Sequence, residues 1–424
     1  MDSQKPGSKA VDAKVSRRSL VRNTALTAGA MALASRIDVN YALAQDEGPV
    51  KIGWLGDRTG DFSLVGVQKY AAAELAVKEL NEKGGILGRE VQLVAEDAQS
   101  DNRRYQEMAR KLILQDKIDV LHACFTSAGR EAIRPIIDQN KAIFFYNNQY
   151  EGGVCDSYVF PTGCVPDHQV VPFMPAVMEK FGNRVYTIAA DYNFGQLTAA
   201  WCKKFVESNG GEVIGEEFIP LDVSQFSTTI TNIQNAAPDI LVVLLVGIKQ
   251  SSFYEQKNSA GMQVPMATTV NMGQAYEHKR FPPPALNNMY VTVNFMEELA
   301  EGLGTDFPAR VRSVAPDLEY VGMECAAEYE GINMYALGAE KAGTTEKEAV
   351  RKALESGISF EGPGGTVSID PATHHTVRNI YMVHADENHN IVLDETFEAV
   401  RPDWLSADMG CDLPNKPDNT QYEP

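Results

Sequence analysis

The chain has 424 residues, 44% of them hydrophobic, and a formal net charge of -19 at pH 7. This length is enough for two or three domains with substantial cores. The acidic balance argues against a nucleic-acid-binding protein, because such a protein needs a basic face. The composition therefore favours a well-solvated protein that acts on something other than nucleic acid.

The first 44 residues have the pattern of a twin-arginine signal peptide. Arg17 and Arg18 precede a mildly apolar run rich in alanine and glycine, and the Ala-Leu-Ala sequence at 42–44 fits a small-x-small cleavage site. No cysteine that would carry a lipid follows the run, and no later segment reaches the ~18 apolar residues of a membrane span. We expect a mature protein from about Gln45 onward in a bacterial periplasm. A disordered N-terminus with a chance arginine pair is the alternative.

Six cysteines are present: Cys124, Cys155, Cys164, Cys202, Cys325 and Cys411. The periplasm permits disulfides, and the sequence leaves their pairing open. The residues between Cys155 and Cys164 include an extended SYVF pattern, which would hold these two too far apart to bond. No cysteine or histidine spacing is typical of zinc, and the pairs His374–His375 and His384–His389 lack helical ligand spacing. We therefore expect no metal and no cofactor.

From residue 50 the sequence alternates short apolar runs with helical patterns. The strand-like runs are VKIGWLG, REVQLVAED, DVLHACF and AIFFY, then RVYTIAADY, EVIGEEFIP, DILVVLLV and MYVTVNF. Strands that alternate with helices of ten or more residues form right-handed βαβ units and parallel sheets. A break near Pro166–Pro172 separates two series, so the sequence predicts an α/β protein with two doubly wound lobes. Two helices, a β-rich piece and a tail follow, and the tail is predicted to be an extended strap or disordered.

Seven stretches in this order resemble a known family: IGWLGDRTGDFSLVGVQ, NEKGGILGREVQLVAEDAQSD, ARKLILQDKIDVLHACFTSAGREA, FFYNNQYEG, AADYNFG, GGEVIGEEFIPL and DPATHHT. They resemble the type I periplasmic solute-binding proteins of ABC importers, in the branch that carries branched-chain amino acids, amides and urea. Several look most like the group that binds urea and short-chain amides. The resemblance spans roughly residues 50–400.

The resemblance implies the type I periplasmic-binding-protein fold, with two doubly wound parallel-sheet lobes joined by three crossovers and a ligand trapped in the cleft between them. Carried onto this chain, it assigns residues 49–167 plus 297–356 to lobe 1. Residues 168–296 plus 357–400 form lobe 2, and 401–424 are a C-terminal tail.

Polar and aromatic residues follow the strands of lobe 1 where the cleft is expected. Phe125, Thr126 and Ser127 lie where a strand ends and a helix begins, and Thr126 or Ser127 is a candidate helix N-cap. In the amide-binding group this stretch contacts the ligand. In FFYNNQYEG we expect Tyr146, Asn148 and Tyr150 to face the cleft, with Tyr150 and Glu151 as alternative supports of the loop. The amide-binding group carries a hydroxyl residue at the position of Asn148. Asparagine differs from it by presenting an amide donor and a carbonyl acceptor.

Lobe 2 supplies the opposite wall. The expected ligand contacts are Asp191, Tyr192, Phe194, Gly247 and Asn271. In amino-acid binders of the family the loop near residue 270 supplies a carboxylate for the ligand ammonium group, and TTVNMGQAY has none. A buried ammonium without a counter-charge would cost several kcal/mol, so an amino acid is disfavoured. Arg58, after the first strand, is either a partner for a ligand carboxylate or a solvated charge.

We therefore expect a binding protein and not an enzyme, since no GxSxG, HExxH or P-loop motif is present. The leading hypothesis is a monomeric periplasmic receptor that closes on a urea-like or short-chain amide solute and delivers it to the permease of an ABC importer. A receptor for a small carboxylate or amino acid is the first alternative. A ligand-sensing module for a signalling partner is the second.

Overall fold

The first sheet follows the predicted alternation closely. A computed structural model of the chain describes residues 48–424, and the predicted signal peptide lies outside them. Its first elements are β1 (Val50–Gly56), α1 (Ser63–Glu82), β2 (Val91–Asp97), α2 (Asn102–Arg110), β3 (Val120–Ala123), α3 (Ser127–Asn140), β4 (Phe144–Tyr146), β5 (Val154–Asp156) and β6 (Val159–Pro161). A π-helical turn, Lys111–Asp116, extends α2. Within the described residues these strands give a five-stranded, wholly parallel sheet in the order β2-β1-β3-β4-β6.

The second sheet starts with another parallel series. Its elements are α4 (Val170–Phe181), β7 (Arg184–Ala190), α5 (Asn193–Ser208), β8 (Glu212–Ile219), α6 (Ser227–Ala236), β9 (Ile240–Leu244), α7 (Gly247–Gln250), α8 (Ser252–Ser259), β10 (Met266–Thr268), α9 (Met272–Ala275), α10 (Glu277–Arg280) and β11 (Met289–Val293). The strands run β8-β7-β9-β10-β11 in space. Every residue of β9 is buried, which is typical of a parallel strand that is covered on both faces.

The remaining chain returns to both sheets. It forms α11 (Phe307–Val314), α12 (Met323–Ala342), α13 (Lys347–Leu354), β12 (Ser359–Gly362), β13 (Gly365–Ile369), β14 (Thr376–Ala385), β15 (Ile391–Val400), α14 (Asp403–Ala407) and β16 (Asn419–Gln421). Helix α12 packs on α1 beside the first sheet, in one core with its strands. Strand β14 pairs antiparallel with β11, β13 and β15, and this adds an antiparallel edge to the second sheet. The predicted α/β class is confirmed, while the residue boundaries of the lobes stay a prediction.

No helix within residues 48–424 is both long enough and apolar enough to cross a bilayer.

The tail after Val400 is a folded strap, so the alternative that it is disordered was wrong. Trp404 of α14 packs edge-on against Trp201 of α5 at a ring-centroid distance of 4.6 Å. Cys411 forms a disulfide with Cys155, and β16 then pairs with β5. Cys155 and Cys164 are not bonded, as predicted. The sequence could not show the pairing, because the two bonded cysteines are 256 residues apart.

The strap ties the end of the second sheet to the first. It leaves β15 of the second sheet and ends on β5, which lies in the connection between β4 and β6 of the first sheet. The side chain of Arg134 in α3 donates to the carbonyl of Asn419 in the strap. The disulfide therefore closes a long loop of the chain that contains β6 and all strands of the second sheet.

The disulfide should contribute measurably to stability. Replacing Cys155 and Cys411 together with serine should lower the free energy of unfolding by about 2–4 kcal/mol, because the cross-link restricts the unfolded chain. Thermal unfolding with and without a reductant measures this effect. The reductant should lower the melting temperature of the wild type and leave that of the double variant unchanged. A wild type that melts at the same temperature under both conditions would contradict the assignment.

Candidate functional site

A small cavity lies where strand ends of the two sheets meet. Its lining residues are Asp61, Phe62, Leu64, Val65, Phe125, Val246, Gly247, Ile248, Asn271, Gln274, Ala275 and Arg280. These residues follow the carboxyl ends of β1 and β3 in the first sheet and of β9 and β10 in the second. In open α/β sheets, ligands bind in the crevice beyond the carboxyl ends of the strands. The cavity is therefore the candidate ligand site.

A larger, more open groove lies beside α1. It is lined by residues of that helix, by Tyr276 and by residues 315–320. Its wall is formed mainly by α1 and by residues 315–320 rather than by strand ends, so it lacks the convergence of strand-end loops that marks the smaller cavity. Arg58 belongs to this groove, where its guanidinium lies over the ring of Tyr70 at 4.8 Å. Its exposed position fits the prediction of a solvated charge.

Aromatic rings of the first sheet form one wall of the cavity. Phe62 and Phe125 stack with their ring centroids 4.7 Å apart. Gly247 at the start of α7 approaches them from the second sheet. Its φ is +78°, and a Cβ at this position would lie 3.1 Å from Phe62 Cε1. Phe125 and Gly247 were predicted site residues, while Phe62 was missed, although it follows β1 just as Phe125 follows β3.

Polar contacts join the two sides around the cavity. The ammonium group of Lys249 lies 2.9 Å from the carboxylate of Asp61. The side-chain amide of Gln68 in α1 donates to the carbonyl of Gln274 at 3.1 Å. In this arrangement, which we call closed, the two sides of the cavity are therefore in direct contact.

Thr126 and Ser127 have separate structural roles. Thr126 is the N-cap of α3, and its hydroxyl accepts a hydrogen bond from the Gly129 amide at 3.0 Å. The Ser127 hydroxyl donates to the Glu151 carboxylate, which also pairs with Arg130 at 2.8 Å. All of these side chains are buried. The predicted cap is confirmed for Thr126, and Ser127 belongs to an internal Ser127–Arg130–Glu151 cluster.

Tyr146 and Tyr150 support the wall from behind. The Tyr146 hydroxyl donates to the carbonyl of Phe125 at 2.8 Å. The Arg130 guanidinium lies over both phenol rings, at 5.0 Å from Tyr146 and 4.4 Å from Tyr150. The Tyr150 hydroxyl donates to Nε2 of His375. Burial lowers the pKa of His375 to about 4, so its ring is neutral at pH 7. Both hydroxyls thus have protein partners, and their contact with a ligand stays a prediction.

The residues after β4 leave two buried acceptors unused. The Asn148 side-chain amide donates to the carbonyl of Gln149 at 3.1 Å, and the Gln149 main-chain amide donates to the Glu324 carboxylate at 3.0 Å. Asn148 Oδ1 and Gln149 Oε1 are buried and have no hydrogen-bond partner in the described part of the chain. An unsatisfied buried acceptor costs about 1–3 kcal/mol. Neither residue lines the cavity, so these oxygens are candidate partners for an ordered water.

The three predicted site residues that follow β7 have different surroundings. Tyr192 lies just before α5, and burial together with nearby Glu151 raises the pKa of its phenol. Phe194 is buried in a core that also contains Phe62 and Phe125. Asp191 is exposed and accepts a hydrogen bond from Gln196 at 2.8 Å. Tyr192 thus lies close to the Ser127–Arg130–Glu151 cluster. The Asp191 carboxylate instead bonds to Gln196 of the helix that follows it.

The loop after β10 brings Asn271 and two unpredicted residues to the cavity. The Asn271 amide donates to the Tyr254 hydroxyl, and the Gln274 amide donates to Glu324 at 2.9 Å. Arg280 ends α10, and its Nη1 is buried with no hydrogen-bond partner among residues 48–424. No sequence signal identified Arg280, because it belongs to a short helix whose position depends on the whole loop.

The histidines that raised the question of a metal have protein partners. His384 lies 2.7 Å from the Asp394 carboxylate, and His374 lies 3.2 Å from Glu355. In the part of the chain that the structure describes, no group of three or more histidine, cysteine or acidic side chains is arranged to hold a metal ion.

Known proteins resemble this chain over most of its length. A profile described as periplasmic binding protein matches residues 49–390. The Leu/Ile/Val-binding protein homolog 6 of Brucella abortus (strain 2308) is 22% identical over 341 residues, which are 78% of this chain and 86% of the relative.

Solved structures of solute-binding proteins share the fold. One from Rhodopseudomonas palustris BisB5, in complex with 3,4-dihydroxybenzoic acid, has a TM-score of 0.74 and 20% identity and covers 83% of this chain and 98% of its own. A branched-chain amino acid transporter substrate-binding protein from Streptococcus pneumoniae, in complex with isoleucine, has a TM-score of 0.69 and 22% identity. It covers 84% of this chain and all of its own, at 100%. The predicted fold is thus confirmed.

Ser127 offers a test of the buried cluster. Changing Ser127 to alanine leaves an oxygen of the buried Glu151 carboxylate without its donor, so the free energy of unfolding should fall by about 1–3 kcal/mol. Chemical denaturation measures the change. Ser208→Ala, on an exposed helical serine, is the matched control and should stay within about 0.5 kcal/mol of the wild type. Equal stability of the two variants would show that the Ser127 hydroxyl is free to serve a ligand.

Proposed function

Because the chain belongs to the periplasmic binding protein family, we propose that it is a solute receptor of an ABC importer. Its matched relatives are binding proteins rather than enzymes. The receptor holds its solute in the cavity between the two sheets and presents the closed form to the permease.

The observation that carries this proposal is the composition of the cavity wall. Phe62 and Phe125 come from strand ends of the first sheet, and Gly247 and Asn271 come from strand ends of the second. A ligand in this position touches both sides at once. It therefore stabilises the closed arrangement by contacts that an open arrangement cannot make.

A urea-like or short-chain amide solute is the ligand that the sequence resemblance implies. The unpaired oxygens of Asn148 and Gln149 are acceptors suited to amide N–H groups, but neither residue lines the cavity. The hydroxyl residue typical of the amide-binding group is absent at Asn148, which weakens this assignment.

A small carboxylate is the second candidate, and Arg280 favours it. Its guanidinium lines the cavity, and guanidinium groups bind carboxylates in a two-pronged geometry. The structural neighbours with 3,4-dihydroxybenzoic acid and isoleucine both hold a ligand with a carboxylate, but at 20% and 22% identity they support the fold and leave the ligand open. An amino acid is disfavoured because the loop TTVNMGQAY contains no carboxylate for its ammonium group.

The proposed setting of this receptor rests on its family and on the pattern of its first 44 residues. We propose that residues 1–44 direct it through the twin-arginine route to the periplasm and that it works there as a monomer. A permease of an ABC importer is the proposed partner. A sensing role would instead require a signalling partner that recognises the closed form.

Ligand binding should be visible in thermal unfolding. A screen of ureas, short amides, amino acids and carboxylates should yield at least one compound that raises the melting temperature. A ligand present at 100 times its Kd adds about 2.7 kcal/mol to the free energy of unfolding. Gly247→Leu should abolish this shift, because the new side chain meets Phe62 in the cavity.

Gly261→Leu is the matched control for backbone strain. Gly261 also has a positive φ, +67°, but nothing lies within 4 Å of its added Cβ. Both variants should lose stability, and only Gly261→Leu should keep the ligand-induced shift. A Gly247→Leu protein that still responds to ligand would place the binding site elsewhere.

A further inference from the structure

We propose that the cavity binds a monocarboxylate with a small apolar body, and that Arg280 holds the carboxylate group. This inference rests on the proposed function and names the ligand class of the same site. It follows from the apolar character of the wall, from the partners of its polar groups and from the surroundings of Arg280.

The wall of the cavity is mainly apolar. Its apolar side chains are Phe62, Leu64, Val65, Phe125, Val246, Ile248 and Ala275. They come from both sheets, so a ligand is enclosed by hydrocarbon on each side. Burying the apolar surface of a ligand here yields about 25 cal/mol for each Å² removed from water. A urea-like solute has almost no such surface, whereas an aromatic or branched aliphatic body has a large one. The cavity measures about 20 Å³ in this structure, so its two sides must move apart to admit such a body.

Most polar side chains of the wall are already paired. The Asn271 amide donates to Tyr254, and the Gln274 amide donates to Glu324. The Asp61 carboxylate pairs with Lys249. The exception is Arg280, because its Nη1 is buried and has no hydrogen-bond partner among the residues described. A ligand group that pairs with this nitrogen must be a hydrogen-bond acceptor.

The protein neutralises Arg280 only weakly. Its Nη1 lies 3.8 Å from the Glu277 carboxyl, which is too long for a hydrogen bond, and its Nη2 lies 3.4 Å from the Ser251 hydroxyl. Burial raises the pKa of Glu277 to about 7, so that this carboxyl is only partly ionised at neutral pH. The rings of Tyr276 and Phe281 lie 5.9 and 5.5 Å from the guanidinium carbon. A ligand carboxylate supplies the anion that this environment lacks.

The same wall selects against ligands with other charges. Asp61 is the only carboxylate among its described lining residues, and its pairing with Lys249 leaves no free anion for a ligand ammonium group. Among the described residues that line the cavity, Arg280 is the only cation. A second carboxylate group on the ligand would therefore be buried without a partner. Both arrangements are costly in a dry cavity. A single carboxylate on an apolar body avoids both costs.

Benzoate and benzamide separate charge from shape, since the two differ in little except the carboxylate. Isothermal titration calorimetry on the mature protein should show that benzoate binds at least about tenfold more tightly than benzamide. Arg280→Gln should weaken benzoate binding about tenfold or more and leave benzamide binding within about twofold. Isovalerate should follow benzoate. Arg184→Gln is the matched control, because Arg184 is an exposed arginine of the second sheet that donates to the carbonyls of Ala236 and Ala237.

Three results would overturn the inference. They are failure of benzoate and isovalerate to bind, equal binding of benzoate and benzamide, and unchanged benzoate binding by Arg280→Gln. If ureas or amides bind while carboxylates do not, the proposed receptor function still stands and only the ligand class is wrong. If no compound of the wider screen binds, the receptor function fails as well. Arg280→Lys is a second variant that keeps the positive charge. If Arg280→Gln does not fold, the ratio of the benzoate and benzamide affinities of the wild type still tests the proposal.

Discussion

The cavity depends on one constraint, which is that the carboxyl ends of parallel strands from two sheets face each other. Each parallel sheet brings the loops after its strands to a single edge, so residues far apart in sequence become neighbours. Phe125 after β3 and Val246 after β9 thus line the same cavity, although 120 residues lie between them in the sequence. Neither sheet alone completes the site. A solute that binds in this cavity therefore contacts residues of both sheets at once.

Buried charges hold the first-sheet side of this wall in place. Lys69 of α1 donates to the carbonyl of Cys124 at 2.9 Å and lies 3.6 Å from the Glu328 carboxylate. Burial raises the pKa of Glu328 to about 7. On the other side of the turn, Arg130 and Glu151 form a second buried pair. Such pairs add little net stability, but removing one partner leaves an uncompensated charge, so they fix the geometry of the turn that carries Phe125.

The sequence was a good guide to the fold and to part of the site. Hydrophobic periodicity and the position of strand ends pointed to Phe125, Gly247 and Asn271, which line the candidate cavity, because their positions depend on local pattern and on a known topology. Arg280 was missed because a short helix orients it through tertiary packing. Ser127 and Tyr146 were expected to present free hydroxyls, yet each has a partner that only the packed structure reveals. The strap was ambiguous because its disulfide joins distant cysteines.

Closure on a ligand is the central claim, and small-angle X-ray scattering tests it most directly. The mature protein should give a smaller radius of gyration with a saturating ligand than without one, and the liganded profile should match that calculated from residues 50–424 of the closed structure. The reason is that a ligand touching both walls shifts the population toward the closed form. Identical profiles at saturation, with binding confirmed by calorimetry, would contradict the account.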